Sequence, residues 1–138
     1  MIVADASVVV ELLLGPGSPA GSMLARHLGD QEVVCTPHLL DAEVGQALRR
    51  FVLPREMSFA RAQASLDDLA DLPLRRFPHT AFLSRAFALR ANVTVYDGIY
   101  LALAEALGAP LITCDAALRN VPGCTAEVVL VPASPSRN

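Results

Sequence analysis

Two acidic residues follow apolar segments that have the character of buried strands. Asp5 comes directly after the apolar residues IVA, and Asp115 comes directly after PLITC. Ligands of open parallel α/β sheets gather outside the carboxyl ends of the strands, which lie at one edge of the sheet. We therefore expect both carboxylates at the same edge, where they could bind a cation or act on a substrate.

Two further acids lie on helical faces that should point inward. Asp97 is in the first turn of a predicted helix, on a mostly apolar face. Glu43 shares a helical stripe with residues that have the character of core residues: Thr36, Leu40, Ala47 and Phe51. A charge on an inward face is costly unless it is paired or ligated. These two acids are therefore candidates to join the pair at the sheet edge.

Each acid also has a simpler explanation. Asp5 and Asp115 could cap the helices that follow them, and Asp97 could interact favourably with the positive end of its helix. Glu43 is in the middle of a helix, where no backbone N–H is free, but it could pair with Arg49 or Arg85. The four acids together favour a shared site more strongly than any one of them does alone.

Four converging carboxylates would repel one another and raise each other's pKa values. A hard divalent cation removes that conflict, and ligation by oxygen alone suits Mg²⁺, with Mn²⁺ as an alternative. The three histidines, His27, His38 and His79, stand at positions typical of surface or capping residues. Ser7 and Thr113 each stand two residues from an acid, so their hydroxyls could orient a carboxylate, although ordinary capping and strand roles explain them equally well.

The elements that must position these residues alternate between strand and helix. We predict strands at 1–5, 33–35, 74–77, 110–115 and 128–131. We predict helices from about Ser7 to a break at 15–19, over 20–29, from Pro37 to about Val52, from Ser58 to Leu72, from Thr80 to about Ala91, over 94–107 and at 116–119. This alternation predicts an α/β fold with a mostly parallel sheet between two layers of helices.

Composition limits the class of protein. The 138 residues, 53% of them hydrophobic, suit one domain, which we expect at 1–133 with a flexible tail at 134–138. All eleven basic residues are arginine, which excludes mechanisms that need a lysine, such as Schiff-base chemistry. An odd number of cysteines without close-paired spacing, and the lack of an apolar segment long enough for a bilayer, favour a cytoplasmic protein that does not bind membranes.

Four segments in sequence order resemble PIN-domain ribonucleases, in particular the VapC toxins of bacterial toxin–antitoxin pairs. They are VADAS, HLLDAEVGQAL, VTVYDGIYLALAEALGAPLITCD and the overlapping DAAL. The resemblance implies that Asp5, Glu43, Asp97 and Asp115 are the catalytic, metal-binding acids and that Ser7 and Thr113 are their accompanying hydroxyls. It departs from the usual pattern at Gly98, where alanine is commoner.

The resemblance also implies a fold, an activity and partners. The fold is a PIN-like three-layer α/β/α domain with five mostly parallel strands. The activity is that of a metal-dependent endoribonuclease toxin acting on tRNA or another structured RNA. The partners are a cognate VapB-type antitoxin and a second copy of the chain in a homodimer.

Other readings of the sequence stay open beside this one. A non-catalytic PIN-like module that binds RNA or protein would need a broken acidic quartet, which the sequence does not show. A phospho-aspartate protein would need a lysine, and a DNA nuclease of the same fold is poorly separated from a ribonuclease. Arg85 and Arg90, which precede Asp97, are candidates for RNA phosphate contacts, with surface ion pairs as the alternative.

Overall fold

The structure, a computed structural model, describes residues 1–15 and 17–135. The strands are β1 (Ile2–Ala4), β2 (Val34–Pro37), β3 (Leu74–Phe77), β4 (Leu111–Thr113) and β5 (Val128–Leu130). The α-helices are α1 (Ala6–Leu14), α2 (Pro19–Gly29), α3 (Leu39–Val52), α4 (Phe59–Asp71), α5 (Leu83–Ala88) and α6 (Val95–Leu107). Two short 3₁₀ helices span His79–Phe82 and Ala116–Leu118.

The five strands form one sheet in the order β3-β2-β1-β4-β5, and every neighbouring pair is parallel. The chain therefore winds in one direction from β1 through β2 to β3 and in the other from β4 to β5. Between β1 and β4 the winding reverses, and at such a switch point the loops diverge and leave a crevice for a ligand. Asp5 directly follows β1 and Asp115 closely follows β4, so the topology places both acids at that crevice.

Aliphatic packing on the sheet confirms the predicted α/β/α class. Every residue of β1, β2 and β4 is buried, as expected for parallel strands covered by helices. Helix α6 packs against all three of these strands. Its middle turns, from Gly98 to Ala104, are entirely buried. This rigid central helix carries Asp97 in its first turn.

Two predicted helix boundaries were wrong. Pro37 does not begin α3 but ends β2, where it pairs with Phe77 of β3, and the helix begins two residues later at Leu39. The helix predicted from Thr80 to Ala91 is instead a 3₁₀ turn followed by the short α5. No side-chain hydrogen bond caps either of these two segments, so Thr80 does not supply the N-terminal signal that the sequence suggested.

Two members of the predicted inward stripe on α3 also differ from expectation. Thr36 and Leu40 are fully buried, as predicted. Ala47 and Phe51 are only half-buried, and within the described chain neither belongs to the apolar side chains packed on the core. The buried face of α3 is instead formed by Leu40, Val44 and Leu48. The second half of the stripe therefore faces away from the core.

The last residues that the structure describes lie at the edge of the cavity described below. The backbone N–H of Ser134 donates to Glu11 Oε1 at 2.8 Å. Residues 136–138 of the predicted tail, and Pro16 in the predicted break at 15–19, lie outside the described residues. In the described ranges no single helix is long and apolar enough to cross a membrane, although the bent pair α1–α2 would pass a test of length and composition alone.

Candidate active site

Asp5 is the most constrained of the four acids. Its Oδ1 accepts hydrogen bonds from Ser7 Oγ at 2.5 Å and from the Val8 backbone N–H at 3.3 Å, and its Oδ2 accepts from Thr113 Oγ1 at 2.5 Å. The side chain is only 6% exposed. Burial raises the pKa of Asp5 to about 6, against the opposing effect of these hydrogen bonds. The structure thus places both predicted hydroxyls on one carboxylate.

The same two hydroxyls connect the ends of β1 and β4. Ser7 Oγ accepts from the Cys114 N–H at 3.0 Å, and Thr113 Oγ1 accepts from the Asp115 N–H at 3.0 Å. Asp115 itself is exposed, and its Oδ1 accepts from the Ala117 N–H at 2.9 Å, which caps the following 3₁₀ turn. The two acids therefore cap helical turns and also face the crevice, so the simpler explanation does not exclude the chemical one.

Glu43 and Asp97 approach this pair from the helices. Glu43 Oε1 accepts a hydrogen bond from Tyr100 Oη at 2.6 Å, so its partner is neither Arg49 nor Arg85. Burial raises the pKa of Glu43, and the nearby Asp97 charge adds to that shift. Burial also raises the pKa of Asp97, and the charge of Asp115 contributes in the same direction. The four acids are therefore electrostatically coupled across the crevice.

One cavity of about 620 Å³ contains all four acids. Ser7, Glu11 and Cys114 also line it near the sheet, while Thr113 lies buried behind Asp5. An outer wall comes from α3 and consists of Gln46, Ala47, Arg50 and Phe51. Ala133 and Ser134 of the C-terminal segment line it as well. His27, His38 and His79 are all described, and none of them lines the cavity.

The acids fit a hard divalent cation in type and charge. Within the described ranges, no arginine or histidine forms an ion pair with any of the four carboxylates. Oxygen-only donors with uncompensated charge are what Mg²⁺ and Mn²⁺ prefer. No three His, Cys, Asp or Glu side chains among residues 1–15 and 17–135 are close enough as placed to hold one ion together. Binding would therefore require the carboxylates to turn toward one another.

A comparison with known families agrees with this geometry. The family described as the PIN domain matches residues 2–123, which include all four acids and both hydroxyls. The chain belongs to the PIN-domain family. Two relatives place it in the VapC group of that family. It is 46% identical to ribonuclease VapC1 of Mycobacterium tuberculosis, over 94% of this chain and 96% of that protein. It is 44% identical to ribonuclease VapC12 of the same species, over 95% and 99%.

Solved structures share the fold of this PIN domain at low sequence identity. VapBC2 from Rickettsia felis, bound to a DNA fragment from its promoter, matches with a TM-score of 0.71 at 14% identity, over 95% of this chain and 99% of that one. PAE2754 from Pyrobaculum aerophilum matches with a TM-score of 0.68 at 22% identity, over 92% and 81%. Both likenesses support the predicted PIN-like three-layer architecture.

The two arginines predicted to contact RNA lie outside the cavity of this PIN domain. Arg85 binds Glu105 through two hydrogen bonds of 2.8 and 3.0 Å and also donates to the Gly123 carbonyl. The Arg90 guanidinium lies over the Phe87 ring, 4.8 Å from its centroid. Arg85 thus has the ion pair that was its alternative explanation, and RNA contact by either residue stays a prediction.

Two residues that matter to the site, Tyr100 and Arg50, were not predicted from the sequence. Tyr100 is three positions after Asp97, so helical spacing puts it on the same side of α6 and could have pointed to it. Arg50 is seven positions after Glu43, which is two helical turns and again the same face. The spacing of Tyr100 does not identify its partner without the tertiary structure, because Tyr100 binds an acid on another helix.

Proposed function

We propose that this PIN domain is a metal-dependent endoribonuclease that hydrolyses RNA phosphodiester bonds as the toxin of a toxin–antitoxin pair. The observation that carries the proposal is the set of four carboxylates in one cavity at the switch point of the sheet. The relatives at 46% and 44% identity are named ribonucleases, which supports RNA as the substrate. A structured RNA such as tRNA is the substrate class that we propose.

The acids and hydroxyls of the cavity have different proposed roles. Asp5, Asp97 and Asp115 would be the principal ligands of Mg²⁺, or of Mn²⁺ in its place, and Glu43 would hold a second ion or position the attacking water. Such an ion supplies Lewis acidity, which lowers the pKa of water and offsets the charge that develops on the phosphate. Ser7 and Thr113 hold the two oxygens of Asp5 in place, so the other three carboxylates would turn toward this one when an ion binds.

The proposed partners are a VapB-type antitoxin and a second copy of the chain, and we place the protein in the cytoplasm. Two fold relatives are described as VapBC2 and as a toxin–antitoxin complex from Klebsiella pneumoniae, which supports an antitoxin.

Leu83 and Phe87 are four positions apart near the start and end of α5 and are 42% and 57% exposed. These exposed apolar side chains support a homodimer, because contiguous exposed apolar surface often marks an interface.

Cleavage of a structured RNA tests the proposal. Purified protein should cut a tRNA mixture with Mg²⁺ and stop when EDTA is added. Asp97→Asn should reduce the rate by at least about a hundredfold, because even the loss of an outer partner of a metal ligand costs about 10- to 100-fold. Asp67→Asn is the matched control, since Asp67 is exposed on α4 and bonds only to Gln63 in the described structure.

Two results would count against the proposal. If Asp97→Asn retains full cleavage, the activity does not come from the acidic cavity. If the wild-type protein binds RNA with micromolar or better affinity but never cuts it with Mg²⁺ or Mn²⁺, the non-catalytic alternative replaces the ribonuclease.

A further inference from the structure

The outer wall of the cavity is formed by residues that have no role in the proposed metal site. Gln46, Ala47, Arg50 and Phe51 follow Glu43 along α3 at helical spacing, and all four line the cavity. Arg50 is seven residues beyond Glu43, so its backbone lies about 10 Å farther along the helix axis. The wall therefore extends away from the four acids at a distance suited to nucleotides beside the cleaved bond.

Charge singles out Arg50 on this wall. Five acids line the cavity, namely Asp5, Glu11, Glu43, Asp97 and Asp115, and Arg50 is the one basic residue with them in the described part of the chain. Its side chain is exposed and forms no hydrogen bond or ion pair to any described residue, whereas Arg61, Arg76 and Arg85 are each held by such bonds. The charge of Arg50 lowers the pKa of Glu43 through space, but no described residue accepts a hydrogen bond from its guanidinium, which can therefore bind a phosphate bidentately.

Phe51 gives the wall a second recognition element. The ring is half-buried, lines the cavity and, within the described chain, is not among the side chains packed on the core. Aromatic rings beside an arginine suit unpaired bases, which stack on the ring while the phosphate meets the cation. The exposed Gln46 amide one turn nearer the acids can both donate and accept hydrogen bonds.

We propose that Gln46, Arg50 and Phe51 form a nucleotide-binding subsite for an unpaired stretch of RNA next to the cleaved bond. Arg50 binds the neighbouring phosphate, Phe51 stacks on its base, and Gln46 contacts the base edge or the ribose. This inference rests on the proposed ribonuclease function, and it requires the base next to the cleaved bond to be unpaired, because a base within a duplex cannot reach the ring.

Binding and kinetics test the subsite. Arg50→Gln in an Asp97→Asn background should weaken binding of a short single-stranded RNA by about tenfold and reduce the slope of log affinity against log salt by about 0.7. Phe51→Leu should weaken it by about tenfold, toward the lower end of the range for the loss of one stacked base. In the otherwise unmodified enzyme, both changes should raise KM more than they lower kcat. Neither should change the affinity for Mg²⁺ alone, measured by calorimetry.

Arg49→Gln is the matched control, because Arg49 is the exposed neighbour on α3 that does not line the cavity. Equal effects of Arg49→Gln and Arg50→Gln on affinity and salt slope would overturn the subsite while leaving the ribonuclease function intact. If the wild-type protein never cuts RNA, and if Arg50→Gln but not Arg49→Gln weakens RNA binding, the ribonuclease function is overturned and the subsite is kept. Equal affinity for duplex and single-stranded RNA would refute the preference for unpaired bases.

Discussion

Tyr100 shows how a single buried hydroxyl can prepare an acid for chemistry. The side chain is 1% exposed, and its phenol donates to Glu43 Oε1. Burial and the neighbouring carboxylates raise the pKa of Tyr100, so the phenol stays protonated and remains a donor. That hydrogen bond lowers the pKa of Glu43 and opposes the effect of burial. Tyr100 therefore keeps Glu43 both oriented and more readily ionised.

Replacing Tyr100 by phenylalanine should separate this positioning role from a packing role. Tyr100→Phe keeps the ring and should cost only about 1 kcal/mol of stability, because one hydrogen bond is lost. The Mg²⁺ concentration for half-maximal activity should rise about tenfold, since Tyr100 orients a proposed metal-binding acid. The acid limb of the pH–rate profile should move to higher pH, because the pKa of Glu43 rises without the donor.

The control for this change is Tyr96→Phe. Tyr96 is 61% exposed in the first turn of α6 and does not line the cavity. It should show neither the change in Mg²⁺ requirement nor the shift in pH profile. If Tyr100→Phe instead lowers stability by several kcal/mol and leaves the pH profile unchanged, Tyr100 is a packing residue only.

At the scale of elements, the close contact of α5 with α6 explains glycine at position 98, where the family resemblance predicted alanine. Gly98 is buried on α6, and a Cβ atom at this position would lie 3.0 Å from the Cα, Cβ and carbonyl oxygen of Ala86 on α5. Two of those atoms belong to the backbone and cannot move away as a flexible side chain would. Glycine at 98 thus allows the two helices to approach, next to Asp97.

Gly98→Ala should therefore destabilise the protein although alanine is the better helix former. We expect the free energy of unfolding in urea to fall by about 1–3 kcal/mol, the usual cost of overpacking. The matched control is Gly45→Ala on α3, where a Cβ would meet nothing within 4 Å. That change should be neutral or should stabilise by up to about 1 kcal/mol. Equal effects of the two substitutions would show that the contact with Ala86 is not limiting.

The same contrast between local pattern and tertiary contact explains what the sequence could predict. Asp5 and Asp115 were predictable at one edge because strand ends and parallel topology depend on local patterns. The direction of Phe51 was not predictable, because its position on the apolar stripe fits the core and only the placement of α3 turns it toward the cavity. The hydrogen bond from Tyr100 to Glu43 joins residues that are 57 positions apart, and no rule of helical or strand spacing relates such positions.

At the scale of the whole molecule, the acidic cavity makes stability depend on pH and on divalent ions. The folded state raises the pKa of Asp5 from 3.8 to about 6 and also raises those of Glu43 and Asp97, chiefly through burial. Elsewhere, hydrogen bonds from Arg85 and Thr125 lower the pKa of Glu105 to about 2. As pH rises, the cavity acids therefore lower the stability of the folded protein, whereas Glu105 raises it at lower pH.

The direction in which stability changes with pH follows from the number of protons bound by the folded and the unfolded protein. Between pH 3.8 and about 6 the folded protein keeps a proton on Asp5 that the unfolded chain has released, so the free energy of unfolding falls as pH rises. The shift of about two pKa units corresponds to about 3 kcal/mol. Glu105 acts oppositely, and its contribution is lost as pH falls from 4.5 toward about 2. Metal-free protein should therefore be most stable near pH 4 to 5.

Urea unfolding at a series of pH values, in EDTA and in millimolar Mg²⁺, measures this dependence. In EDTA the wild-type protein should lose stability from pH 5 to pH 7, and Mg²⁺ should restore it, because an ion that binds only the folded state stabilises that state. Asp5→Asn keeps an N-cap residue for α1. It should be more stable than the wild type above pH 6 in EDTA, converge with it near pH 4 and gain little from Mg²⁺. A flat wild-type profile in EDTA, or an Asp5→Asn protein that is less stable at pH 7, would show that the buried carboxylate does not oppose folding.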